Sequence, residues 1–354
     1  MLIARSVHPL PGEAEWHTRL QALVDGFAGR RVLIVGDLIA DEFIYGQVAR
    51  VSREAPVLIL QYDSTEILPG GAGNAANNVA ALGGRAHLVG FAGVDQPGRR
   101  LVQTLRQTIK GLDLVRPAGY VTPVKTRILA GGIHTAKQQI VRIDRLMSGN
   151  VARGAVQKFA RKAIKASDYC DAVLVSDYGS GLVTPALVEK LQARVGRRAR
   201  RRPIPVLVDS RYDLLRYKSL TACTPNEAEV EQMLRVRIDD RLDVLERAGR
   251  RILKRAQMGA VLVTRGSRGM ALFEPGRSTV HVPIFGSDQV ADVTGAGDTV
   301  IATVTLALAA GGSFYEAARL ANYAGGLVVM KRGTATVSAK ELRDAIDSDH
   351  HAPQ

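Results

Sequence analysis

The chain has 354 residues, is 46% apolar and only 5% aromatic, and carries 35 glycines. A core of Ala, Val and Leu with many tight turns suits an α/β fold better than an all-β sandwich. The net charge of +14 admits anionic small molecules, nucleic acid or a membrane surface as partners, while Cys170 and Cys223, on apolar runs, read as buried free thiols and not as a disulfide or metal site.

Met1 to Trp16 contains no continuous apolar stretch, so no signal peptide is expected. The longest apolar runs, such as Val300 to Ala310, are too short to span a bilayer. A soluble, cytoplasmic protein without a membrane partner is expected.

A strand over Val32 to Val35 opens the fold and ends at Gly36-Asp37-Leu38-Ile39-Ala40-Asp41. Ligands of open α/β sheets gather at the carboxyl ends of strands. Asp37 and Asp41 can each accept hydrogen bonds from sugar hydroxyls there; turn or capping aspartates are the plain alternative. β-rich pieces follow at Phe43 to Val48 and Val57 to Tyr62. Next comes Pro69-Gly70-Gly71-Ala72-Gly73-Asn74-Ala75-Ala76, opening a small-residue helix from about Ala72 to Leu82. It contains G-x-G-x-x-A, but Asp63 to Pro69 separates it from the preceding strand, which argues against a dinucleotide site. Close backbone approach of Gly70 and Gly71 to a substrate, with Asn74 supplying an amide, fits better. A helix start with small packing residues is the alternative.

A strand at Ala86 to Phe91 and a helix near Gly98 to Ile109 lead to a second β-rich pair, Lys125 to Ala130 and Gln138 to Asp144. The two β-rich pairs are expected to join as one small sheet outside the core, covering the site as a lid. Regular alternation follows: helix Ala152 to Lys165, strand Ala172 to Ser176, helix Pro185 to Arg194, strand Pro205 to Asp209, strand Ala222 to Thr224, helix Asp240 to Gln257 and strand Ala260 to Thr264. This pattern predicts a largely parallel sheet with helices on both faces. The block Arg197, Arg198, Arg200, Arg201 and Arg202 has no interleaved aromatic residue and reads as a solvated loop, so nucleic acid is not an expected partner.

Thr224-Pro225-Asn226-Glu227-Ala228-Glu229 has the spacing of a helix capping box. The same helix end favours phosphate, which would set Asn226 and Glu229 near a hydrated Mg²⁺. Thr264-Arg265-Gly266-Ser267-Arg268-Gly269 is a hairpin loop or a phosphate-approaching loop. Short β runs at Met270 to Phe273 and Thr279 to Val282 come before Asp292-Val293-Thr294-Gly295-Ala296-Gly297-Asp298-Thr299, and a further helix covers Phe314 to Met330. Glycines ahead of a helix turn successive N–H groups toward one point and make an anion site. A carboxylate beside it, Asp298, suits a base for phosphoryl transfer, which a helix N-terminus would keep ionised. An ordinary first-turn acid is the alternative. The chain has no Walker A sequence and no protein-kinase H-R-D or D-F-G.

Together these motifs resemble the ribokinase-like (PfkB) sugar kinases over roughly Arg31 to Thr336. The finer resemblance is to the heptose 7-phosphate kinases, through Ser52-Arg53-Glu54-Ala55-Pro56-Val57, Gln138-Gln139, Arg142, Asp144, Ser176-Asp177-Tyr178 and the motifs above. The resemblance implies an α/β, doubly wound, mostly parallel sheet with a small β lid. One kinase domain, 1–354, is expected: core about 25–346, lid strands about 41–63 and 121–144, and a flexible tail at 347–354. A separate nucleotidyltransferase half is not expected.

The implied roles are specific. Asp298 is the base, and the N–H groups of Gly295, Ala296 and Gly297 form the anion hole. Asp37, Asp41, Gly70, Gly71, Asn74, Lys125, Arg127, Gln139, Arg142 and Asp177 face the sugar. Asn226, Glu227, Ala228, Glu229, Thr264, Gly266, Gly269 and Asn322 face ATP, with Mg²⁺ held through water by Asn226 and Glu229. Asp292 and Thr294 match a monovalent-cation loop for K⁺, and the lid pairs two subunits in a homodimer. Two positions depart from the heptose kinases: Ser180 stands where they carry Lys, and Arg211 ends Asp209-Ser210-Arg211 where they carry D-P-K. Lys125, Arg127 and Arg142 are then the lid cations left to grip the substrate's existing phosphate. The implied reaction is heptose 7-phosphate to the 1,7-bisphosphate, toward ADP-heptose and lipopolysaccharide. Kinases of fructose 6-phosphate, ribose or a nucleoside, and a non-catalytic sensor, are the alternatives.

Overall fold

The computed structural model describes residues 13–131, 137–146, 151–199, 202–286 and 292–350. Its strands are β1 (Arg31–Gly36), β2 (Leu38–Val51), β3 (Leu58–Gly71), β4 (Arg85–Phe91), β5 (Gly111–Val115), β6 (Val124–Gly131), β7 (Gln138–Arg145), β8 (Ala172–Asp177), β9 (Val206–Ser210), β10 (Ala222–Cys223), β11 (Ala260–Thr264), β12 (Met270–Phe273) and β13 (Val280–Val282). Nine of them form one sheet in the order β13-β12-β11-β10-β9-β8-β1-β4-β5. Pairing is parallel from β11 to β5; only β12 and β13 run antiparallel. β1 is buried from Val32 onward, as a strand covered on both faces must be.

The helices are α1 (Glu13–Asp25), α2 (Ala72–Ala81), α3 (Gln96–Thr108), α4 (Arg153–Ala166), α5 (Pro185–Arg198), α6 (Glu227–Leu234), α7 (Leu242–Ala256), α8 (Ala296–Ala309), α9 (Phe314–Val328) and α10 (Ala339–His350). Two separate apolar clusters, one on each face of the sheet, match the two helix layers. α7 shows why: Val244, Leu245, Ala248, Ile252, Leu253 and Ala256 make one apolar stripe that the sheet buries. α8 is buried on nearly all sides, so its apolar run needs no polar face.

β3-β2-β6-β7 form the expected second sheet, with β2 and β6 parallel at its centre. Its strands reach further than the sequence suggests: β2 starts at Leu38 and β3 continues through Pro69 to Gly71. Pro69 is tolerated because β3 is an edge strand. The glycine cluster therefore does follow a strand directly, contrary to expectation. That strand is an antiparallel lid strand and not part of a parallel β-α-β unit, so the dinucleotide fingerprint still lacks its structural context.

Three other differences are local. α1, β5 and α10 have no counterpart in the sequence reading. α10 continues to His350, so residues 347–350 are helical and not a frayed tail; the Tyr323 hydroxyl donates to Asp349 at 2.5 Å and Gln21 Nε2 to Asp347 at 2.8 Å. Residues 351–354 lie outside the described residues. Arg197 and Arg198 close α5 and are not loop residues; Arg198 donates to the Ser167 carbonyl at 2.5 Å. Arg200 and Arg201 fall outside the described residues. Among the described residues no helix is long and apolar enough to cross a membrane. Both cysteines are free and buried.

Candidate active site

β1 and β8 are parallel neighbours, and the strand order reverses between them. Their carboxyl ends set Gly36-Asp37 beside Ser176-Asp177-Tyr178 at this switch point. Gly36 is required there, because a Cβ would lie 2.1 Å from the Ser176 carbonyl oxygen. Asp37 accepts from the Tyr178 amide at 2.8 Å, the Ser180 amide at 3.3 Å and the Ser180 hydroxyl. Burial pushes its acid up, and these donors oppose the push. Ser180, one of the two departures from the heptose kinases, thus caps Asp37 from within the protein.

Asp298 stands in the first turn of α8. Gly295 precedes the helix at φ +78°, and a Cβ on it would lie 2.4 Å from Asn74 Nδ2. Glycine is required on both counts. Asn74 donates to Asp298 Oδ2 at 2.9 Å, and the Tyr178 hydroxyl donates to Oδ1 at 3.2 Å. Asp298 is 4% exposed, and burial raises its pKa to about 7 against those two donors. The helix N-terminus was expected to keep the group fully ionised. Desolvation outweighs it, as it does for other carboxyls sequestered from water. Gly71, at φ +58°, passes so close that a Cβ would meet the Asp37 carbonyl oxygen at 2.6 Å and the Tyr178 ring at 3.2 Å.

On one side of Asp298 lies a cavity of about 430 Å³ between the lid and the large sheet. Asp37, Lys125, Arg142, Tyr178, Ser180, Arg211 and Tyr212 line it. The Lys125 ammonium sits 4.8 Å over the Tyr178 ring, and burial lowers its pKa. Arg142 is held by both oxygens of Asp144, at 2.9 and 3.1 Å. Arg211, noted in the sequence as a departure, is a wall of this cavity.

Several residues expected to face the sugar do not line this cavity. Arg127 is not among the lining residues; its guanidinium pairs with Asp41 at 2.6 Å, and both are buried. Asp41 packs beneath Gly70, where a Cβ would meet its carboxylate at 2.2 Å. Asp177 faces inward and accepts from Tyr217 at 2.7 Å, Ser210 at 2.8 Å and the Gly179 amide at 3.0 Å. It shapes the turn after β8 and does not line the cavity. Gln139 lies on the exposed strand β7, away from the lining. Tyr178, which was quoted but given no role, is the residue that joins the cavity to Asp298. An aromatic residue just beyond a strand end at the switch point was the available signal.

On the other side is a cavity of about 760 Å³. Asn226, Glu227, Ala228, Thr264, Gly266, Gly269, Ala296, Gly297 and Asn322 all line it, as the motifs suggested. Glu229 instead completes the capping box: Asn226 accepts from the Glu229 amide at 2.8 Å, and Glu229 accepts from the Asn226 amide at 2.9 Å. Glu227 is bound by Arg268 at 2.9 Å. Asn322 donates to the Pro283 carbonyl at 2.8 Å. Asp209, at the end of β9, was not singled out for a role; burial and the Glu229 and Asp298 carboxylates push its acid well above the usual range. Asp292 accepts from the amides of Thr294 at 2.9 Å and Gly333 at 3.0 Å, which folds the loop before α8.

A sequence profile for the pfkB family carbohydrate kinases matches residues 30–341. The chain is 40% identical over 322 residues to the bifunctional protein HldE of Geobacter sulfurreducens, covering 90% of this chain and 63% of that protein. It is 41% identical over 321 residues to HldE of Desulfatibacillum aliphaticivorans, with the same two coverages. It therefore spans less than two thirds of the length of these relatives. Among solved structures, phosphofructokinase-2 from Escherichia coli in complex with potassium is similar with a TM-score of 0.69 at 18% identity, over 90% of this chain and 99% of that one. Arabidopsis thaliana ribokinase complexed with ribose and ATP is similar with a TM-score of 0.66 at 20% identity, over 92% and 100%. The two structures share the ribokinase-like fold described above, the two relatives are 40% and 41% identical to this chain over 90% of its length, and the family profile runs from β1 into α10: the chain belongs to the pfkB family of carbohydrate kinases.

Proposed function

We propose that the chain transfers the terminal phosphoryl group of ATP to a sugar hydroxyl, with D-glycero-β-D-manno-heptose 7-phosphate as acceptor and the 1,7-bisphosphate as product. One observation carries this reading. Asp298 is buried between two cavities, tied to the wall of one through Tyr178, while Ala296 and Gly297, just ahead of it, line the other.

In this reading the acceptor hydroxyl enters from the Tyr178 side and the nucleotide from the α6–α9 side. Asp298 takes the hydroxyl proton as the oxygen attacks the terminal phosphorus and the bond to ADP breaks. The N–H groups at the start of α8 hold the equatorial oxygens of the moving group. A base with a pKa near 7 is matched to neutral pH. Positioning supplies much of the rest of the rate.

Among the described residues no three His, Cys, Asp or Glu cluster as a metal site, so a divalent cation is proposed as a partner of the bound nucleotide phosphates. Asp209 and Glu229 both have raised acids, Asp209 partly through its carboxylate neighbours, and a cation relieves that repulsion. Asn226 and Glu229 would hold Mg²⁺ through water, and the ion would neutralise charge on the nucleotide phosphates. The Asp292–Thr294 loop is the place proposed for K⁺. For the acceptor's own phosphate, Lys125 and Arg211 are the proposed grip, since Arg127 is committed to Asp41 and Arg142 to Asp144. The lid also suggests a homodimer, because Ile140, Val141 and Ile143 lie exposed on β7; light scattering in solution tests it.

The test is a substrate panel coupled to ADP release. Heptose 7-phosphate is expected to give the highest kcat/KM. Preference for fructose 6-phosphate, ribose or a nucleoside would overturn the acceptor assignment, and no ADP release with any sugar would overturn the kinase reading.

A further inference from the structure

Asn78 lies on α2 one turn beyond Asn74, fully buried, and nothing above gives it a part in the chemistry. Its Nδ2 donates to the Asn74 backbone carbonyl at 3.1 Å and to Asn74 Oδ1 at 3.1 Å. Its Oδ1 accepts from the Thr299 hydroxyl at 3.0 Å, in the first turn of α8. A carboxamide has one accepting end and one donating end, and a backbone carbonyl can only accept. The Asn74 carbonyl therefore fixes which way Asn78 points. Asn78 in turn claims the oxygen of the Asn74 side chain. Only the Nδ2 end of Asn74 is then left for Asp298, at 2.9 Å, and for the Gly295 carbonyl, at 3.3 Å. A reversed Asn74 would set its oxygen against both of those acceptors.

We propose that Asn78 is a positioning residue for phosphoryl transfer: it locks the Asn74 amide in the orientation that donates to Asp298. This rests on the reading of Asp298 as the base. Asn78 touches neither sugar nor nucleotide and carries no proton. Its effect is on the ionisation and aim of Asp298. The other groups facing that carboxylate are the Tyr178 hydroxyl from the end of β8, Asp41 and Lys125 from the lid strands, and Asp209 from β9. Asn74 is the largest influence opposing the burial that raises the Asp298 acid. Releasing Asn74 should make Asp298 hold its proton more tightly.

The test is the pH profile of kcat for Asn78→Leu, Asn74→Ala and the double variant. Asn78→Leu should lower kcat at pH 7 by roughly tenfold and move the acid limb to higher pH, with KM for both substrates within about twofold. The double variant should be no worse than Asn74→Ala, because Asn78 acts through Asn74. Asn78→Ala, a strong helix former without bulk, gives the same answer if leucine does not pack. A wild-type acid limb in a folded Asn78 variant, or losses that multiply in the double variant, would overturn the proposal. Turnover retained by Asp298→Asn would instead remove the base assignment. An inactive Asp298→Asn with a normal profile for Asn78→Leu sinks this inference alone.

Discussion

The two cavities that flank the buried Asp298, one reached through Tyr178 and the other through Ala296 and Gly297, are built by different means. The proposed nucleotide side draws on backbone, with Gly266 and Gly269 at positive φ and the starts of α6 and α8, beside side chains that include Asn226, Glu227 and Arg268. The sugar side is walled by charged side chains delivered by two sheets, Asp37 and Arg211 from the large sheet and Lys125 and Arg142 from the lid. Backbone donors recognise phosphate whatever it is attached to. Side chains on long stems can change without disturbing the fold, so on the proposed function they are the groups expected to set which sugar is taken. Ser180, one of the two departures noted in the sequence, shows such a change: it lines this cavity with a hydroxyl, while Arg211 supplies a cation on the same wall.

The comparison can be broken in several ways. Asp298→Asn, between the two cavities, should lower kcat about a hundredfold or more with the fold retained by circular dichroism. Gly295→Ala, just ahead of α8, should lower kcat by roughly tenfold or more, because its Cβ displaces Asn74 and forces a strained φ. If it keeps full turnover, the Gly295 turn does not set the position of Asn74 against Asp298.

Side-chain changes on the sugar wall should act on binding. Lys125→Ala and Arg211→Ala should each raise KM for the phosphorylated sugar by about tenfold while KM for ATP stays level. A rise in KM for ATP instead would erase the distinction between the two sides.

The smallest effect is on stability. Asp298 holds its proton more tightly in the folded chain, up to about pH 7, than an unfolded aspartate with its ordinary value of 3.8. Folding therefore takes up protons in that window, and stability falls as pH rises through it. Asp298→Asn removes this loss, so its Tm relative to the parent should be higher at pH 8 than at pH 5. An equal difference at both values would mean that the carboxyl is not held above its ordinary range.

What was legible in the sequence was local. The capping box at Asn226, the glycine turn at Gly295 and the strand-helix alternation are each encoded within a few residues, and the structure shows all three. The lid was legible because its two β-rich pairs interrupt that alternation. Partner choice was not. Asp41 and Arg127 are 86 residues apart, and only the parallel register of β2 against β6 brings them together. The same holds for Asp37 and Ser180, joined by the pairing of β1 with β8. Burial, which lifts Asp298 above the value a helix terminus alone would set, is a property of the assembled layers and of no single motif.

The most direct measurement is a crystal structure with the heptose phosphate and a non-hydrolysable ATP analogue. It should place an Asp298 carboxylate oxygen about 3 Å from the acceptor hydroxyl, in line with the terminal phosphorus. A carboxylate turned away from that oxygen, with another group in its place, would contradict the account.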